Sequence, residues 1–455
     1  MMNRILCSAA TVFAVVATGH SQPVCEPDWC RVNASFESPC PATIRAFAWF
    51  DDGTGPKLYA GGRFNAIGGA PAENLAIWNG GQWLPVIPGT DAEITALRVL
   101  DDGSGPALYV GGRFGSAGGM PATLLAKFDG LAWTPIPGIT RDPITDAFSS
   151  ISDMVIWDAG AGPELYVGGF IGLPGIRQSI GVARLTPSGF ATLGSGISGV
   201  TTFSLVGVGS LQPADLGDGP ALYVGGTFRN AGGLSSPNIA RWDGQNWSAV
   251  GAGLPEDTRD GSIVPTVRSI LPAMDGGTPV LLAAGDFILD SIRGVARWDG
   301  QTWTSFPGDF QPYPAKLKFV SEGVEPGLIA YGPFTSIDGA PFSGIARWDG
   351  TGWTNVGEPI SHFGINALVE FDDGRGPALL AGGAAFFDGC AGQPLARYGR
   401  LQGDLDCDGA VSLADLAVLL SAFGVSDAGD LDSDGQTTLE DLTILLSKFG
   451  NACGA

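Results

Sequence analysis

Histidine is nearly absent from this chain. Its 455 residues include two, His20 and His362. We expect His20 to be removed with an N-terminal signal segment, and a single remaining imidazole cannot build a multi-histidine zinc or copper centre. A Ser-His-Asp arrangement around His362 stays formally possible, although a lone histidine is more often an ordinary loop residue. The sequence therefore favours a protein that is not an enzyme, but it does not exclude catalysis.

Long apolar runs are also missing. Residues 5–17 form an apolar stretch behind Arg4 that is too short to span a bilayer. We interpret residues 1–21 as a signal peptide, with cleavage after Ser21 favoured over cleavage after Gly19. Glycine and proline interrupt every later candidate for a membrane span. We therefore expect a secreted or cell-surface protein with no membrane span, and the sequence leaves open whether it is released.

Cysteine is absent between residues 40 and 390. The chain contains no Cys-x-x-Cys pair, which argues against a cysteine metal site. Six cysteines remain after the signal peptide, an even number that predicts disulfides in an exported protein. They are Cys25, Cys30, Cys40, Cys390, Cys407 and Cys453. We expect Cys390 to pair with one of the three N-terminal cysteines.

Positive charge is scarce. The chain has 24 Lys and Arg against 46 Asp and Glu, a net charge of −22. This balance argues against nucleic acid and anionic membranes as partners. Ten of the acidic residues and one lysine lie in the 53 residues from Gly403 onward. Acid at this density indicates either a solvated surface or a set of cation ligands.

What the chain does have is an internal repeat, which decides the architecture before any local pattern does. The best-formed copy reads Leu-Tyr-Val-Gly-Gly-Arg-Phe from Leu108, followed by Gly-Gly-Met-Pro, an Asp-Gly step and a tryptophan. Seven copies start at Leu58, Leu108, Leu165, Leu222, Leu281, Leu328 and Leu379. Each copy predicts four short strands joined by tight turns. Four strands per unit and seven units predict an all-β seven-bladed β-propeller over residues 22–400.

The seventh copy ends at Tyr398 without a fourth, tryptophan-bearing strand. The segment around Trp29 is similar to the fourth strand around Trp247. We therefore predict that the N-terminus supplies the missing strand and pairs near Tyr398. Tryptophan pairs such as Trp242 and Trp247 are expected to fill the gaps between neighbouring sheets.

Two other recurring features have a structural and a functional interpretation. The Asp-Asp-Gly-x-Gly-Pro segments at Asp51, Asp101 and Asp372 could be cation sites, but their recurrence favours plain hairpin turns. A recurring arginine could line a ligand surface, but its regularity favours structural hydrogen bonds, such as bonds between blades. These arginines are Arg63, Arg113, Arg241, Arg297, Arg347 and Arg397.

The acidic tail contains two calcium-type loops. In the first, Asp404, Asp406, Asp408 and Asp415 stand at positions 1, 3, 5 and 12 of a twelve-residue loop with glycine at position 6. Calcium takes six to eight oxygen ligands, and this spacing wraps carboxylates around one ion. Ala410 is expected to offer its carbonyl and Ser412 to act through water. The second loop repeats the pattern with Asp430, Asp432, Asp434, Gln436, Thr438 and Asp441, so we expect two Ca²⁺ ions.

One amphipathic helix follows each loop, over residues 413–423 and 439–449, and no helix precedes either. We expect the helices to pack antiparallel through Leu416, Leu419, Leu420, Leu442, Leu445 and Leu446. This arrangement brings the end of the second helix beside the first loop. A Cys407–Cys453 disulfide that closes the module is reasonable in that geometry.

These motifs resemble two families. The two loop-helix pairs resemble type I dockerin over residues 403–450. We expect them to form a small all-α domain over residues 401–455. The Leu-Tyr-Val-Gly-Gly and Trp-Asp-Gly pattern resembles Kelch-type propellers over residues 41–400. The first resemblance implies a cohesin-like partner domain, chosen by positions 10 and 11 of each loop. Those positions are Leu413, Ala414, Leu439 and Glu440; the alternative is that their leucines are core between the helices.

The favoured interpretation is a non-catalytic binding or scaffolding propeller, attached to a partner through the dockerin-like tail, with a polysaccharide or cell-surface ligand possible. The alternative is a carbohydrate-active enzyme, a glycoside hydrolase or polysaccharide lyase, because dockerins commonly accompany such enzymes. Asp153, Asp286 and Asp338 are candidate acids, although nothing in the sequence singles them out. An acidic pair at the mouth of a central channel would favour the enzyme, and an aromatic or neutral polar mouth would favour binding.

Overall fold

The structure is a computed structural model, and the residues it describes leave several gaps. They are 28–31, 36–37, 42–143, 146–176, 178, 180–199, 206–254, 266–320, 326–357, 364–372, 375–386, 393–399, 401–432 and 434–452. Several predictions lie outside the described residues: the signal peptide at 1–21, His362, Cys25, Cys40, Cys390 and Cys453. Within the described residues, neither of the two helices has the length and apolar character needed to cross a bilayer.

The fold is mostly β, with two helices near the C-terminus. The longer strands form seven antiparallel units of four, which we number sheets 1 to 7. Sheets 7 and 1 are joined into one eight-stranded sheet by the pairing of Thr43 with Ala384, and the short strand Thr140–Arg141 adds a fifth strand to sheet 3. Sheet 1 contains Thr43–Asp51, Pro56–Arg63, Leu75–Trp78 and Trp83–Pro85. Sheet 2 contains Ile94–Asp101, Pro106–Gly112, Leu125–Phe128 and Trp133–Pro135. Sheet 3 contains Ser150–Asp158, Pro163–Gly172, Val182–Thr186 and Gly189–Thr192. Sheet 4 contains Gly207–Ala214, Ala221–Thr227, Ile239–Trp242 and Trp247–Ala249.

The remaining elements continue the series. Sheet 5 contains Thr266–Asp275, Thr278–Leu289, Ile292–Trp298 and Trp303–Ser305. Sheet 6 contains Lys316–Val320, Gly327–Tyr331, Ile345–Trp348 and Trp353–Asn355. Sheet 7 contains Ile365–Asp372, Pro377–Phe386, Gln393–Gly399 and Asp28–Arg31. Strands of two residues lie at Phe36–Glu37, Ala66–Ile67, Ala70–Pro71, Ser116–Ala117, Met120–Pro121, Thr140–Arg141, Ile197–Ser198, Asn230–Ala231, Leu234–Ser235, Phe310–Gln311, Ser336–Ile337 and Ala340–Pro341. Helix α1 spans Leu413–Ala422, helix α2 spans Leu439–Lys448, and a 3-10 turn lies at Asp146–Phe148.

Apolar clusters lie between neighbouring sheets. Each cluster takes buried side chains from two successive sheets, and one joins sheet 7 to sheet 1 through residues such as Leu380 and Ile44. The second strand of each sheet contributes most, because it is covered on both faces; every residue of Ala221–Thr227 is buried. Burial on both faces explains why these strands are continuous apolar runs rather than alternating ones. The core is therefore distributed over the seams between sheets.

The diglycine of the repeat is required by close packing. A Cβ on Gly61 would lie 2.6 Å from the Ile94 side chain of sheet 2, and a Cβ on Gly62 would overlap the Thr43 carbonyl of its own sheet. The pairing register shifts at this point, between Ile44 and Ala46, which marks a bulge. Glycine thus permits both the bulge and the approach of the next sheet.

The pairing predicted for the N-terminus is confirmed. Asp28–Arg31 runs antiparallel to Gln393–Gly399, with Trp29 opposite Tyr398. The indole Nε1 of Trp29 donates to the Val356 carbonyl at 2.7 Å, in the segment that leaves sheet 6. Trp247 makes the same contact with Leu193 at 2.6 Å, in the segment that leaves sheet 3. Trp29 is therefore the structural equivalent of the fourth-strand tryptophans.

The tryptophan pairs pack as predicted. Trp242 and Trp247 lie with ring centroids 5.2 Å apart, and Trp298 and Trp303 lie 5.4 Å apart. The second ring of each pair also reaches the preceding sheet through its Nε1 donor, as Trp303 does to the Val250 carbonyl at 2.9 Å. Sheet 3 lacks this pair, because Leu185 and Phe190 stand opposite each other at the positions that Trp242 and Trp247 occupy in sheet 4.

The recurring turn aspartates and two of the recurring arginines have structural roles. Asp51 accepts hydrogen bonds from the backbone N–H groups of Gly53 and Gly55, at 2.8 and 3.0 Å, which caps a hairpin turn as expected. The third-strand arginines hold these turns from within one sheet: Arg397 donates to the Gly376 carbonyl of sheet 7 at 2.8 Å, and Arg297 pairs with Asp275 of sheet 5 at 2.7 Å. The sequence had suggested hydrogen bonds between blades for these arginines. That suggestion was wrong for Arg297 and Arg397, because each contacts the first hairpin of its own sheet.

We expect Trp29→Ala to destabilise the β-rich region by about 3 to 5 kcal/mol, because it removes a buried indole and its hydrogen bond. The measurement is urea unfolding followed by near-ultraviolet circular dichroism on the full chain. Trp49→Ala is the control, since Trp49 is partly exposed on the first strand of sheet 1. Equal midpoints for the two variants would contradict the role assigned to the N-terminal strand.

Candidate metal centre

The first acidic loop gathers its four predicted carboxylates. Asp404, Asp406, Asp408 and Asp415 each offer an oxygen, and these oxygens all lie within 4.8 Å of one another. Gly409 follows with φ 84°, the left-handed conformation that turns the loop back, and its N–H donates to Asp404 at 3.0 Å. This arrangement of hard oxygen donors fits a divalent cation.

The second loop gathers three of its four carboxylates. Asp430, Asp432 and Asp434 offer oxygens within 4.8 Å of one another. Gly435 has φ 87° and donates its N–H to Asp430 at 2.8 Å, as Gly409 does in the first loop. Asp441 lies outside this group of three. The two clusters are therefore related by sequence but are not identical in geometry.

Asp415 and Asp441, at position 12 of the two loops, tie each helix to the start of its loop. Asp415 accepts from the N–H groups of Leu405 at 2.6 Å and Ser412 at 2.7 Å. Asp441 accepts from Leu431 at 2.5 Å and from Thr438 at 2.7 Å. Both carboxylates are fully buried. A buried carboxylate with two or more N–H donors is already oriented for a further cation contact.

The hydroxyls at position 9 cap the helices. Ser412 accepts from the Ala414 N–H at 3.1 Å, and Thr438 accepts from the Glu440 N–H at 3.3 Å. Together with Asp415 and Asp441 they form capping boxes. Both helices end one residue earlier than predicted, because Phe423 and Phe449 are their C-caps.

Position 7 is occupied by Ala410 and Gln436. Their N–H groups donate to Asp408 and Asp434, at 2.9 and 2.8 Å. Ala410 also forms an antiparallel bridge with Ala452. That bridge places the chain after α2 beside the first loop, as predicted.

The electrostatics of the loops reflect crowded negative charge. Burial raises the pKa of Asp404, with the Asp415 and Asp408 carboxylates adding to the rise. Desolvation and the neighbouring carboxylates, first Asp434, likewise raise the pKa of Asp432. Two like charges about 4 Å apart repel by about 4 kcal/mol at an effective dielectric of about 20. A bound cation would remove this repulsion.

Asp441 behaves differently. Burial acts to raise the pKa of its carboxyl, but backbone donors, first Thr438 and then Leu431, outweigh burial and lower it. The carboxylate is therefore held ionised by the loop itself.

The two helices share a small core with the loops. Its buried members are Leu401, Val411, Leu419 and Leu445, with Leu405, Leu416, Leu431 and Leu442 partly buried around them. The prediction for Leu420 and Leu446 was wrong: each is 54% exposed. Both follow a buried leucine by one position, and adjacent helical residues face different directions. Cys407 is disulfide-bonded, while Cys453, its predicted partner, lies outside the described residues.

An exposed apolar surface covers the helices. Leu413 is 73% exposed and Leu439 is 66% exposed, so neither is core between the helices. These two leucines are 26 residues apart in the sequence, like the two loops. Two further pairs with this spacing are also exposed, Leu420 with Leu446 and Phe423 with Phe449. We call these six residues the paired apolar surface. Ala414 and Glu440 are exposed beside its leucines.

Sequence reasoning missed a second polar region, where the first strands of the seven sheets meet. Asp153 of sheet 3 accepts from the Leu211 N–H of sheet 4, at 2.9 Å. Ser210 of sheet 4 accepts from Ile270 of sheet 5, and Ser269 of sheet 5 accepts from Leu317 of sheet 6, both at 3.1 Å. Asp153, Ser210 and Ser269 occupy one register position, directly after the bulge. A polar residue at that position was the available signal.

The same belt of contacts continues between the other sheets. Lys318 of sheet 6 donates to the Leu368 carbonyl of sheet 7 at 3.4 Å. Arg45 of sheet 1 donates to Asn366 of sheet 7 at 3.2 Å and to Glu93, just before sheet 2, at 2.8 Å. Arg98 of sheet 2 pairs with Asp153 at 2.8 Å. We call these contacts the axial belt.

Of the three candidate catalytic acids, Asp153 lines the cavity inside the axial belt, and Asp286 and Asp338 are absent from its lining. Asp153 is 5% exposed and is bound to Arg98 and to the Leu211 N–H. Among the charged residues of the lining, cations outnumber carboxylates, so the lining does not show the acidic pair that would favour an enzyme.

Comparison with known proteins adds little. No protein-family model matches the chain. No curated protein matches it. Among solved structures it is similar to the extracellular domain of a hybrid two component system from B. thetaiotaomicron, at 13% identity and a TM-score of 0.28. The match covers 83% of this chain and 54% of that one, so the chain spans about half the length of that protein. A likeness this weak carries no argument.

We expect Asp153→Ala to cost about 2 kcal/mol of stability, because it leaves the buried Leu211 N–H without its acceptor. Arg98→Ala is the matched control. It breaks the ion pair but keeps the backbone contact, and since Arg98 is half exposed we expect a loss of less than about 1 kcal/mol. Thermal unfolding of both variants is the measurement, and a larger loss for Arg98→Ala would contradict the assignment.

Proposed function

We propose that this chain is a secreted calcium-binding protein that attaches to a partner through a dockerin-like C-terminal module. The observation that carries the proposal is the duplicated loop, with two carboxylate clusters 26 residues apart, each joined to a capped helix. Calcium prefers carboxylate and carbonyl oxygens at this spacing. The ligand set is Asp404, Asp406, Asp408, Ala410, Ser412 and Asp415, with its counterpart in the second loop.

The ions stabilise the module in this proposal. Its buried core is small, while its loops hold closely spaced carboxylates. A core of that size cannot offset several repulsions of about 4 kcal/mol each. Metal binding then becomes part of the folding free energy.

The partner of the module is a cohesin-like domain, and the paired apolar surface is its contact. Six exposed apolar side chains lie on two short helices and their C-caps, and exposed apolar side chains gathered on small elements are typical of a protein interface. Leu413, Ala414, Leu439 and Glu440 provide the selecting positions, because they stand at the start of the helices beside the loops. Ion binding would fix those helix starts through Asp415 and Asp441.

The β-rich region is a seven-bladed, Kelch-like propeller that binds or scaffolds without catalysis. Seven sheets in sequence order, a core at every seam and the contact of sheet 7 with sheet 1 support the closed ring. The structural use of Asp153 and the cationic lining of the axial cavity disfavour an acid pair for glycoside cleavage.

Calcium titration of the full chain by calorimetry is expected to give two ions per chain, and a chelator is expected to lower the unfolding temperature of the C-terminal module. Asp406→Ala and Asp432→Ala should each remove one ion, because each deletes a carboxylate from one cluster. Asp427→Asn is the control, since this acid lies between the loops. Unchanged stoichiometry in both loop variants would refute the calcium sites.

Binding to an immobilised cohesin domain is expected to require calcium and to fall at least tenfold in the Leu413→Asp and Leu439→Asp double variant. The control is Leu131→Asp, because Leu131 is 95% exposed on a turn of sheet 2. Binding that survives the double variant would place the interface elsewhere.

A further inference from the structure

The axial cavity concentrates positive charge in a strongly acidic protein. Two adjoining pockets, of about 330 and 410 Å³, share five residues in their lining, which are Arg45, Thr95, Ser152, Lys316 and Asn366. Six cations line them, against the two carboxylates Glu93 and Asp153. The cations are Arg45, Arg98, Arg113, Arg268, Lys316 and Lys318. The chain as a whole has a net charge of −22, so this local excess is opposite in sign to the rest.

The structure uses part of this charge. Arg45 and Arg113 contact Glu93, Arg98 pairs with Asp153, and Lys318 donates to a carbonyl. Lys316 is different: among the described residues, its ammonium has no hydrogen bond and no carboxylate within 4 Å. Arg268 lies with its guanidinium 4.6 Å from the Tyr313 ring centroid, and its Nε has no hydrogen-bond partner in the described part of the chain. Two cations of the cavity are therefore available to a ligand.

The repeat shows that Lys316 is not a structural necessity. Asp153, Ser210 and Ser269 occupy its register position in sheets 3, 4 and 5, and each accepts a backbone N–H from the next sheet. Lys316, opposite Tyr331 in sheet 6, cannot accept a hydrogen bond. At the position where sheets 3, 4 and 5 have a side chain that accepts a hydrogen bond, sheet 6 therefore has a cation that can only donate. This position lines the axial cavity.

Tyr331 is a departure from the repeat at the same point. It stands where five of the other six second strands carry the first glycine of the diglycine and sheet 5 carries Ala284, and it lines the axial cavity. Burial raises the pKa of Tyr331, so its phenol stays neutral and can donate. The pair of Lys316 and Tyr331 therefore presents a cation and a neutral donor together.

We propose that the axial cavity binds an oxyanion, a sulfate or carboxylate carried by a ligand the size of a monosaccharide, with Lys316, Arg268 and Tyr331 as its contacts. Burial, together with Arg98 and Arg268, lowers the pKa of Lys316 against the pull of Asp153, as expected where positive charge is left unbalanced. Cavities of a few hundred Å³ suit ligands of this size. Buried donors and cations recognise oxyanions through charge-assisted hydrogen bonds. The assignment rests on the proposed function in treating this region as a binding domain.

The experiment is calorimetric titration of the full, calcium-loaded chain with four probes: sodium sulfate, glucose 6-sulfate, glucuronate and glucose. We expect at least one anionic sugar to bind at one site per chain, with affinity that falls as salt rises, and glucose not to bind. The two anionic sugars separate a sulfate site from a carboxylate site. Glucose binding as tightly as both anionic sugars, or no binding by any anionic probe, would overturn the proposal.

The variants locate the site. Lys316→Met keeps the apolar stem and is expected to weaken anion binding at least tenfold, and Arg268→Gln is expected to act in the same direction. Lys127→Met is the matched control, because it changes the net charge equally at a surface ion pair with Asp102. Equal affinity in the Lys316 and Lys127 variants would overturn the assignment. Release of sulfate from glucose 6-sulfate would instead contradict the non-catalytic proposal and support the site.

Discussion

The β-rich region depends on how the first strands of its sheets meet. The first strand is an edge of its sheet, and buried N–H groups on it need acceptors that their own sheet does not provide. The axial belt meets this need with side chains of the neighbouring sheet, such as Ser210 and Ser269. Contacts of this kind join sheet 3 to sheet 4, sheet 4 to sheet 5 and sheet 5 to sheet 6, beside the apolar seams between the same sheets.

The contacts between sheets also depend on glycine. Diglycines such as Gly61 and Gly62 let the sheets approach until side chains of one reach the backbone of the next. The outer strands are tied separately, by indole donors such as Trp247 to the segment that leaves the previous sheet. Contacts of the first strands and contacts of the fourth strands thus join neighbouring sheets at two edges, and the short N-terminal strand supplies one of the fourth-strand contacts through Trp29.

The C-terminal module has to accommodate closely spaced negative charges. Its carboxylates stand close together because backbone N–H groups hold them, as Gly409 holds Asp404 and Ser412 holds Asp415. The same donors orient the oxygens and define where a cation fits. Charge and helix capping are thus coupled in one set of residues, and the exposed leucines at the helix starts are positioned by that set.

The sequence alone determined the periodic features. Repeat number, strand order, the Asp-Gly turns, the role of Trp29 and the spacing of the loop aspartates all depend on local chemistry that recurs, so they could be predicted. The tertiary structure decided what depends on contacts between distant segments: that Leu420 and Leu446 face outward, that Asp441 stands apart from its cluster, and that Asp153 serves the axial belt. It also decided that Lys316 faces the same cavity as Arg268, 48 residues earlier in the chain. No local pattern encodes such a meeting, because it depends on how separate sheets pack against one another.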